Sequence, residues 1–250
     1  FMNLMVLSGL YGTFAGVIGT ALGGVIGCLL FFFGRKYNQL NKGVIKKNIV
    51  FAMLYELSSG LMMAVVTFHM LPEAINEGGM MYSLIGLFTG MGFVFVLQKL
   101  IHKYSKSSAA FKTGLILLFG IALHNFPEGV AIGATFVNDI KLALSIIFII
   151  AVHDIPEGIS VFIPLYASGM KFHKILLLIA LSGLPTGFGA IVGGCIGVLG
   201  TSYSSMSLGF AAGAMLYICV SELSFEAKEL YNRKIIAVAY VIGLVAGLML

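Results

Sequence analysis

Residues 113–165 read TGLILLFGIALHNFPEGVAIGATFVNDIKLALSIIFIIAVHDIPEGISVFIPL. Two apolar runs, 113–137 and 142–165, flank a short polar turn containing Asn138, Asp139 and Lys141. Each is long enough to cross a hydrocarbon core of ~30 Å, which takes about 20 helical residues. HNFPEG (124–129) lies inside the first run and HDIPEG (153–158) inside the second. His124 and His153 each fall about eleven residues into their run, or ~16 Å at 1.5 Å per residue. Both motifs are thus expected at the bilayer midplane, on adjacent antiparallel helices.

The rest of the chain fits that setting. Of its 250 residues 59% are hydrophobic and 10% charged. A soluble domain carries roughly 25% charged residues, so a soluble enzyme is excluded. Apolar stretches predict eight spans, at about 4–33, 49–71, 80–98, 113–137, 142–165, 175–199, 204–223 and 235–250. The expected fold is an all-α integral membrane protein, one polytopic domain over 1–250. The first run is too long for a signal-peptide core and is read as a retained helix.

Positive charge separates the loops into two classes. Arg35, Lys36, Lys42, Lys46 and Lys47 lie between spans 1 and 2, and Lys99, Lys103, Lys106 and Lys112 between spans 3 and 4. Lys171 and Lys174 follow span 5, and Lys228, Arg233 and Lys234 follow span 7, whereas the alternate loops hold only Lys141. Basic residues gather on the cytoplasmic face, so both termini are expected on the extracytoplasmic side of a multi-pass protein of the cell (inner) membrane. With the basic residues so placed, the net charge of +5 marks orientation rather than nucleic-acid binding. Cys28, Cys195 and Cys219 stand singly in apolar segments and form neither a disulfide framework nor a thiolate metal site.

An internal repeat is also legible. SSGLMMA (58–64) resembles AAGAMLY (211–217), and at the same offset HMLPEA (69–74) lies over ELSFEA (222–227). Span 1 (Gly19, Gly23, Gly27) and span 6 (Gly189, Gly193, Gly197) share glycines at the four-residue spacing that lets helix backbones approach. Five spans separate each partner from its counterpart, so the copies run in opposite directions. This predicts an inverted repeat of spans 1–3 and 6–8 around a span 4–5 hairpin, an arrangement characteristic of secondary transporters.

The midplane motifs place Glu128, Asp154 and Glu157 where each carboxylate costs at least ~2.5 kcal/mol. A divalent cation compensates that cost economically. His and Glu at i and i+4 share one helix face, so His124 with Glu128, and His153 with Glu157, are expected to pair on an ion. Asn125 and Asp154 point roughly 100° away and reach a second ion or hold the first ligands. Pro127 and Pro156 each remove a donor from the helix beside these ligands, and Gly129 and Gly158 admit a neighbouring helix.

HNFPEG followed by HDIPEG in consecutive spans resembles the paired signature of the ZIP family of divalent metal transporters, in particular its bacterial ZupT-like and GufA-like branch. The resemblance extends over the whole chain, with HMLPEA in span 2 and a glutamate near the end of span 7. It implies a binuclear centre between spans 4 and 5, with His124, Asn125, Glu128, His153, Asp154 and Glu157 as metal ligands. It further implies uptake of zinc, iron or manganese toward the cytoplasm by a homodimer in the lipid bilayer. Many members carry a glutamate in span 6 where SGLPTGFGA places Thr186; a hydroxyl is a weaker, uncharged ligand for the second ion. The mixed nitrogen and oxygen donors suit Zn²⁺, Fe²⁺, Mn²⁺ or Cd²⁺, and no organic cofactor is expected.

His69 and Glu73 at the outer end of span 2, and Glu222 and Glu226 at the inner end of span 7, suggest stepping stones on either side of the centre. Glu77 and Asp139 add acidic charge outside. A metal-selective cation channel and an intramembrane metalloprotease are the competing readings; against the protease, HExxH is absent from the sequence.

Overall fold

The computed structural model describes residues 2–41, 44–196, 201–232 and 234–249; Lys42, Gly197 and Arg233 lie outside them. The described chain is helical: α1 (Met2–Asn41), α2 (Val44–Ala64), a π-helical stretch (Val65–Met70), α3 (Leu71–Gly78), α4 (Met80–Tyr104), α5 (Ala109–Asn138) and α6 (Ile140–Ala167). There follow α7 (Phe172–Ser182), α8 (Leu184–Ile196), α9 (Thr201–Ile218), a second π-helical stretch (Cys219–Leu223), α10 (Ser224–Leu230) and α11 (Ile235–Leu248). Among the described residues, seven helical segments are long and apolar enough to cross a membrane, and α11 is a shorter apolar helix. Span 2 is α2, its π stretch and α3; span 6 is α7 and α8; span 7 is α9, its π stretch and α10.

Large apolar side chains point outward, Phe14, Phe88, Phe148 and Phe188 each more than 60% exposed. Such a surface suits lipid, while the interior holds the chain's buried acids and histidines. Local chemistry sets the helix ends. Ser108 accepts from the Phe111 amide and Asp139 from those of Lys141 and Leu142, satisfying donors at the starts of α5 and α6. Asp139, expected among the acids attracting cations, is thus a helix cap. Gly79 and Gly169 turn the chain at φ of 90° and 87°, a conformation open to glycine.

Two expectations are amended. The segment between spans 1 and 2 is mostly helix, since α1 continues to Asn41 and α2 begins at Val44, so Arg35 and Lys36 stand on a helix extension. Span 6 is broken at Gly183, two residues before Pro185, whose missing N–H cannot continue the ladder. Spans 4 and 5, in contrast, run as continuous helices through Pro127 and Pro156.

The helices pack as two groups. Spans 1, 4, 5 and 6 form one through α1 on α6 and α8 and α5 on α6 and α8. Spans 2, 3, 7 and 8 form the other through α2 on α11 and α4 on α9. The groups meet where α5 faces α9 and α2 faces α6. The span 4–5 hairpin packs with spans 1 and 6 in the first group.

Close backbone contacts recur in related pairs. A Cβ at Gly60 would strike the Tyr240 carbonyl and one at Gly213 the Leu87 carbonyl, both members of the first contact lying 153 residues from their counterparts in the second. The two π stretches follow almost the same offset. Gly23 abuts the Ile155 carbonyl and Gly189 that of Phe126, while Gly158 abuts Thr20 and Gly129 abuts Thr186. Gly23 therefore corresponds to Gly189 by contact, one helical turn earlier than the glycine spacing suggested.

Candidate metal centre

Gly129 and Gly158 explain how the centre is assembled. Without side chains, Gly129 lets α5 press on the backbone of α8 at Thr186 and Ala190, and Gly158 lets α6 press on α1 at Thr20, Gly23 and Gly24. The residue before each glycine is a glutamate, so the same contacts fix Glu128 and Glu157 in depth.

Both histidines reach across to the other helix. His124 Nε2 lies 2.8 Å from Glu157 Oε2, and His153 Nε2 lies 3.2 Å from Glu128 Oε1 and 3.6 Å from Asp154 Oδ1. The hydrogen-bonded partners are thus His124 with Glu157 and His153 with Glu128, one member of each pair from either helix. Adjacent antiparallel helices bring the i position of one level with the i+4 position of the other, so the crossed partner is nearer. Ligand atoms of Glu128, His153 and Asp154 lie within 4.8 Å of one another, a spacing that a single cation can bridge.

All six expected ligands are buried, His124, Asn125, Asp154 and Glu157 with no exposed surface. Asn125 donates from Nδ2 to the Ser182 carbonyl at 3.0 Å, at the break in span 6. Its Oδ1 has no hydrogen-bond partner, nor do Nδ1 of His124 and of His153, Oε2 of Glu128, both oxygens of Asp154, Oε1 of Glu157 and Oγ1 of Thr186. Buried polar atoms are nearly always hydrogen-bonded, and leaving one unpaired costs roughly 1–3 kcal/mol. This many in one cluster marks a candidate ligand site, and all can donate a lone pair to a cation. Thr186 lies at the start of α8, its side chain facing Gly16 of α1, while Gly19 lies against the Cβ of Asp154.

A cavity of about 100 Å³ borders this cluster, and its lining includes His69, Glu73, Glu128 and His153. The profile of the family described as ZIP Zinc transporter matches residues 102–250, more than half of the chain. The chain belongs to the ZIP family. Zinc transporter ZupT of Enterobacter sp. (strain 638) is 32% identical over 130 residues, 47% of this chain and 47% of that protein. Zinc transporter ZupT of Salmonella newport (strain SL254) and that of Salmonella schwarzengrund (strain CVM19633) are each 32% identical over 108 residues, 38% of this chain and 42% of theirs. The alignments thus span somewhat under half the length of these ZIP relatives.

Within this ZIP chain the expected stepping stones separate by setting. His69 and Glu73 border the cavity beside the cluster. Glu222 is buried, its Oε1 accepting from Gln98 Nε2 at 2.5 Å, and Gln98 accepts in turn from the Tyr217 hydroxyl. Glu226 Oε1 accepts from Thr113 at 2.9 Å. Glu56 is a further buried acid, held by Ser224 at 3.2 Å. Sequence reasoning passed over Gln98, Thr113, Glu56, Ser182 and Ser58, whose hydroxyl donates to the Pro156 carbonyl at 3.1 Å. Glu56 was detectable as an unassigned intramembrane carboxylate; the others belong to no local motif and become meaningful only through their partners.

Proposed function

We propose that the protein, a single polytopic domain, is a carrier of divalent transition-metal cations, zinc foremost with iron, manganese or cadmium as further cargo. It moves them into the cytoplasm across the cell (inner) membrane and is not an enzyme. His124, Asn125, Glu128, His153, Asp154 and Glu157 hold the ion at the midplane, and Thr186 supplies an uncharged oxygen toward a second position. His69 and Glu73 pass cations to that centre; Glu222 and Glu226 receive them on the cytoplasmic side. The observation that carries this reading is the cluster of buried, unpartnered nitrogen and oxygen atoms at the inner end of the outer cavity. The printed names of the ZupT relatives support zinc as cargo.

Access from one side supports a carrier over a channel. The centre meets a cavity toward Glu73, whereas toward the basic face Tyr55, Leu117 and Ile121 are 1–2% exposed within the main apolar cluster. A carrier alternates such access. The basic segments support termini outside the cytoplasm, the paired glycine contacts support the inverted repeat, and the family resemblance supports a homodimer, which cross-linking in membranes checks.

The test is zinc uptake into proteoliposomes. Glu128→Ala and Glu157→Ala should each abolish saturable uptake while the protein still inserts and remains monodisperse in detergent. Full uptake in either variant rejects the assignment, and flux that fails to saturate with zinc returns the channel reading.

A further inference from the structure

The two helix groups are joined on the cytoplasmic side by the hydroxyl of Thr113, on α5, donating to Glu226 Oε1 on α10 at 2.9 Å. Thr113 begins a stripe on α5 at i, i+4 and i+8, namely Thr113, Leu117 and Ile121, which leads to His124. Thr113 is 5% exposed, Leu117 and Ile121 are 1% exposed, and His124 has no exposed surface. The line from the metal cluster to the basic face is therefore plugged by apolar side chains and closed at its end by this hydrogen bond. Opening that line requires α5 to part from α10, and the bond must break. Glu226 then loses a neutral donor just as the route past it opens.

We infer that Thr113 is the positioning residue of cytoplasmic release: its hydroxyl occupies Glu226 while the centre faces outward and surrenders it when the route opens inward. The same carboxylate is first the latch and then a cation acceptor. Glu222 lacks this alternation, because Gln98 and Tyr217 belong to its own helix group. The inference rests on the proposed transport reading for the direction of release, but the latch can be tested without metal.

The experiment uses full-length protein in oriented vesicles containing a chelator. Ile121→Cys, on the plugged stripe, and Leu208→Cys, on the outer cavity, serve as separate reporters for an impermeant maleimide. Labelling at each position is read by peptide mass. A hydrogen bond to a carboxylate biases a two-state equilibrium by roughly tenfold. Thr113→Val should therefore raise cytoplasmic labelling at 121 about tenfold and lower labelling at 208 from outside. Thr113→Ser, which restores the hydroxyl, should return both rates toward the parent. Glu226→Gln keeps a neutral acceptor for Thr113 and should raise cytoplasmic labelling at 121 by less than Thr113→Val does, while zinc uptake falls. The inference is overturned if Thr113→Val labels as the parent does, if Thr113→Ser behaves like Thr113→Val, or if both reporters speed up together, the mark of a loosened fold. Absence of zinc uptake by the parent would reject the transport reading and leave the labelling result to decide the latch.

Discussion

The crossed pairing can be tested by a double-mutant cycle on stability in the presence of chelator. His124 and Glu157 are both fully buried and 2.8 Å apart. A hydrogen bond involving a charged group contributes about 1.5–3 kcal/mol, and removing either partner leaves the other desolvated and unpaired. His124→Ala and Glu157→Gln should each destabilise, and together should cost less than their sum by about 1.5–3 kcal/mol. For a domain of this size 1 kcal/mol moves the melting temperature by roughly 2–4 °C, so the coupling amounts to about 3–12 °C. His124→Ala with Glu128→Gln forms the control cycle, since His124 makes its hydrogen bond to Glu157 rather than to the glutamate one turn along its own helix. That control should show a clearly smaller coupling than the His124–Glu157 cycle, since its two members share the cluster but no hydrogen bond. Reversible unfolding in mixed micelles, followed by circular dichroism, supplies all the free energies. Equal or larger coupling in the control would refute the crossed arrangement and restore pairing along a single helix.

Gly158→Ala should disrupt the centre from a distance: its Cβ would lie 2.9 Å from the Gly24 nitrogen and nearer still to the Thr20 carbonyl. Overpacking of this kind costs about 1–3 kcal/mol, and a displaced Glu157 should weaken zinc binding at least tenfold by titration calorimetry; unchanged affinity would mean that the α1–α6 contact does not set ligand geometry. Thr186→Glu adds a carboxylate beside the unpartnered atoms and should raise the number of ions bound per chain or change ion preference in competition assays. Identical stoichiometry and preference would place Thr186 outside the centre. Metal binds deprotonated ligands, so affinity should rise as pH rises, with protons released on zinc addition. A pH-stat trace showing no release across the histidine range, near ~6.5 for a free imidazole, would exclude His124 and His153 as ligands.

Much of this architecture was legible because apolar length and charge sorting are local properties. The six candidate ligands stand out in the sequence because paired polar motifs are rare inside apolar runs, and all six are buried. What local reading could not supply was the partner of each group. Helical periodicity relates His124 to Glu128 on one face, but only the packing of α5 against α6 shows that His124 hydrogen-bonds to Glu157. The same limit applies to the repeat. Glycine spacing alone permits any register that differs by a turn, and the contact between Gly23 and Ile155 selects one. Gln98 and Thr113 carry no motif, since either would serve equally well on an inert helix face. Only packing against α10 and its preceding π stretch gives them a task.

On the proposed reading, the crossed pairs also address a problem that any carrier faces after release. Three carboxylates at the midplane must survive without the ion that offsets their charge while the empty centre turns outward. Glu157 then has His124, and Glu128 has His153, each pair taking one member from α5 and one from α6. Because both helices belong to the same packed group, these bonds can persist through a movement that separates the groups. An incoming cation engages the atoms left unpartnered, Oε2 of Glu128, Oε1 of Glu157 and both oxygens of Asp154, before it need displace a histidine. Binding can thus begin without first exposing a bare charge. A channel, which never carries an empty centre across, has no corresponding need for paired ligands within one helix group and a latch such as Thr113 to Glu226 between the two.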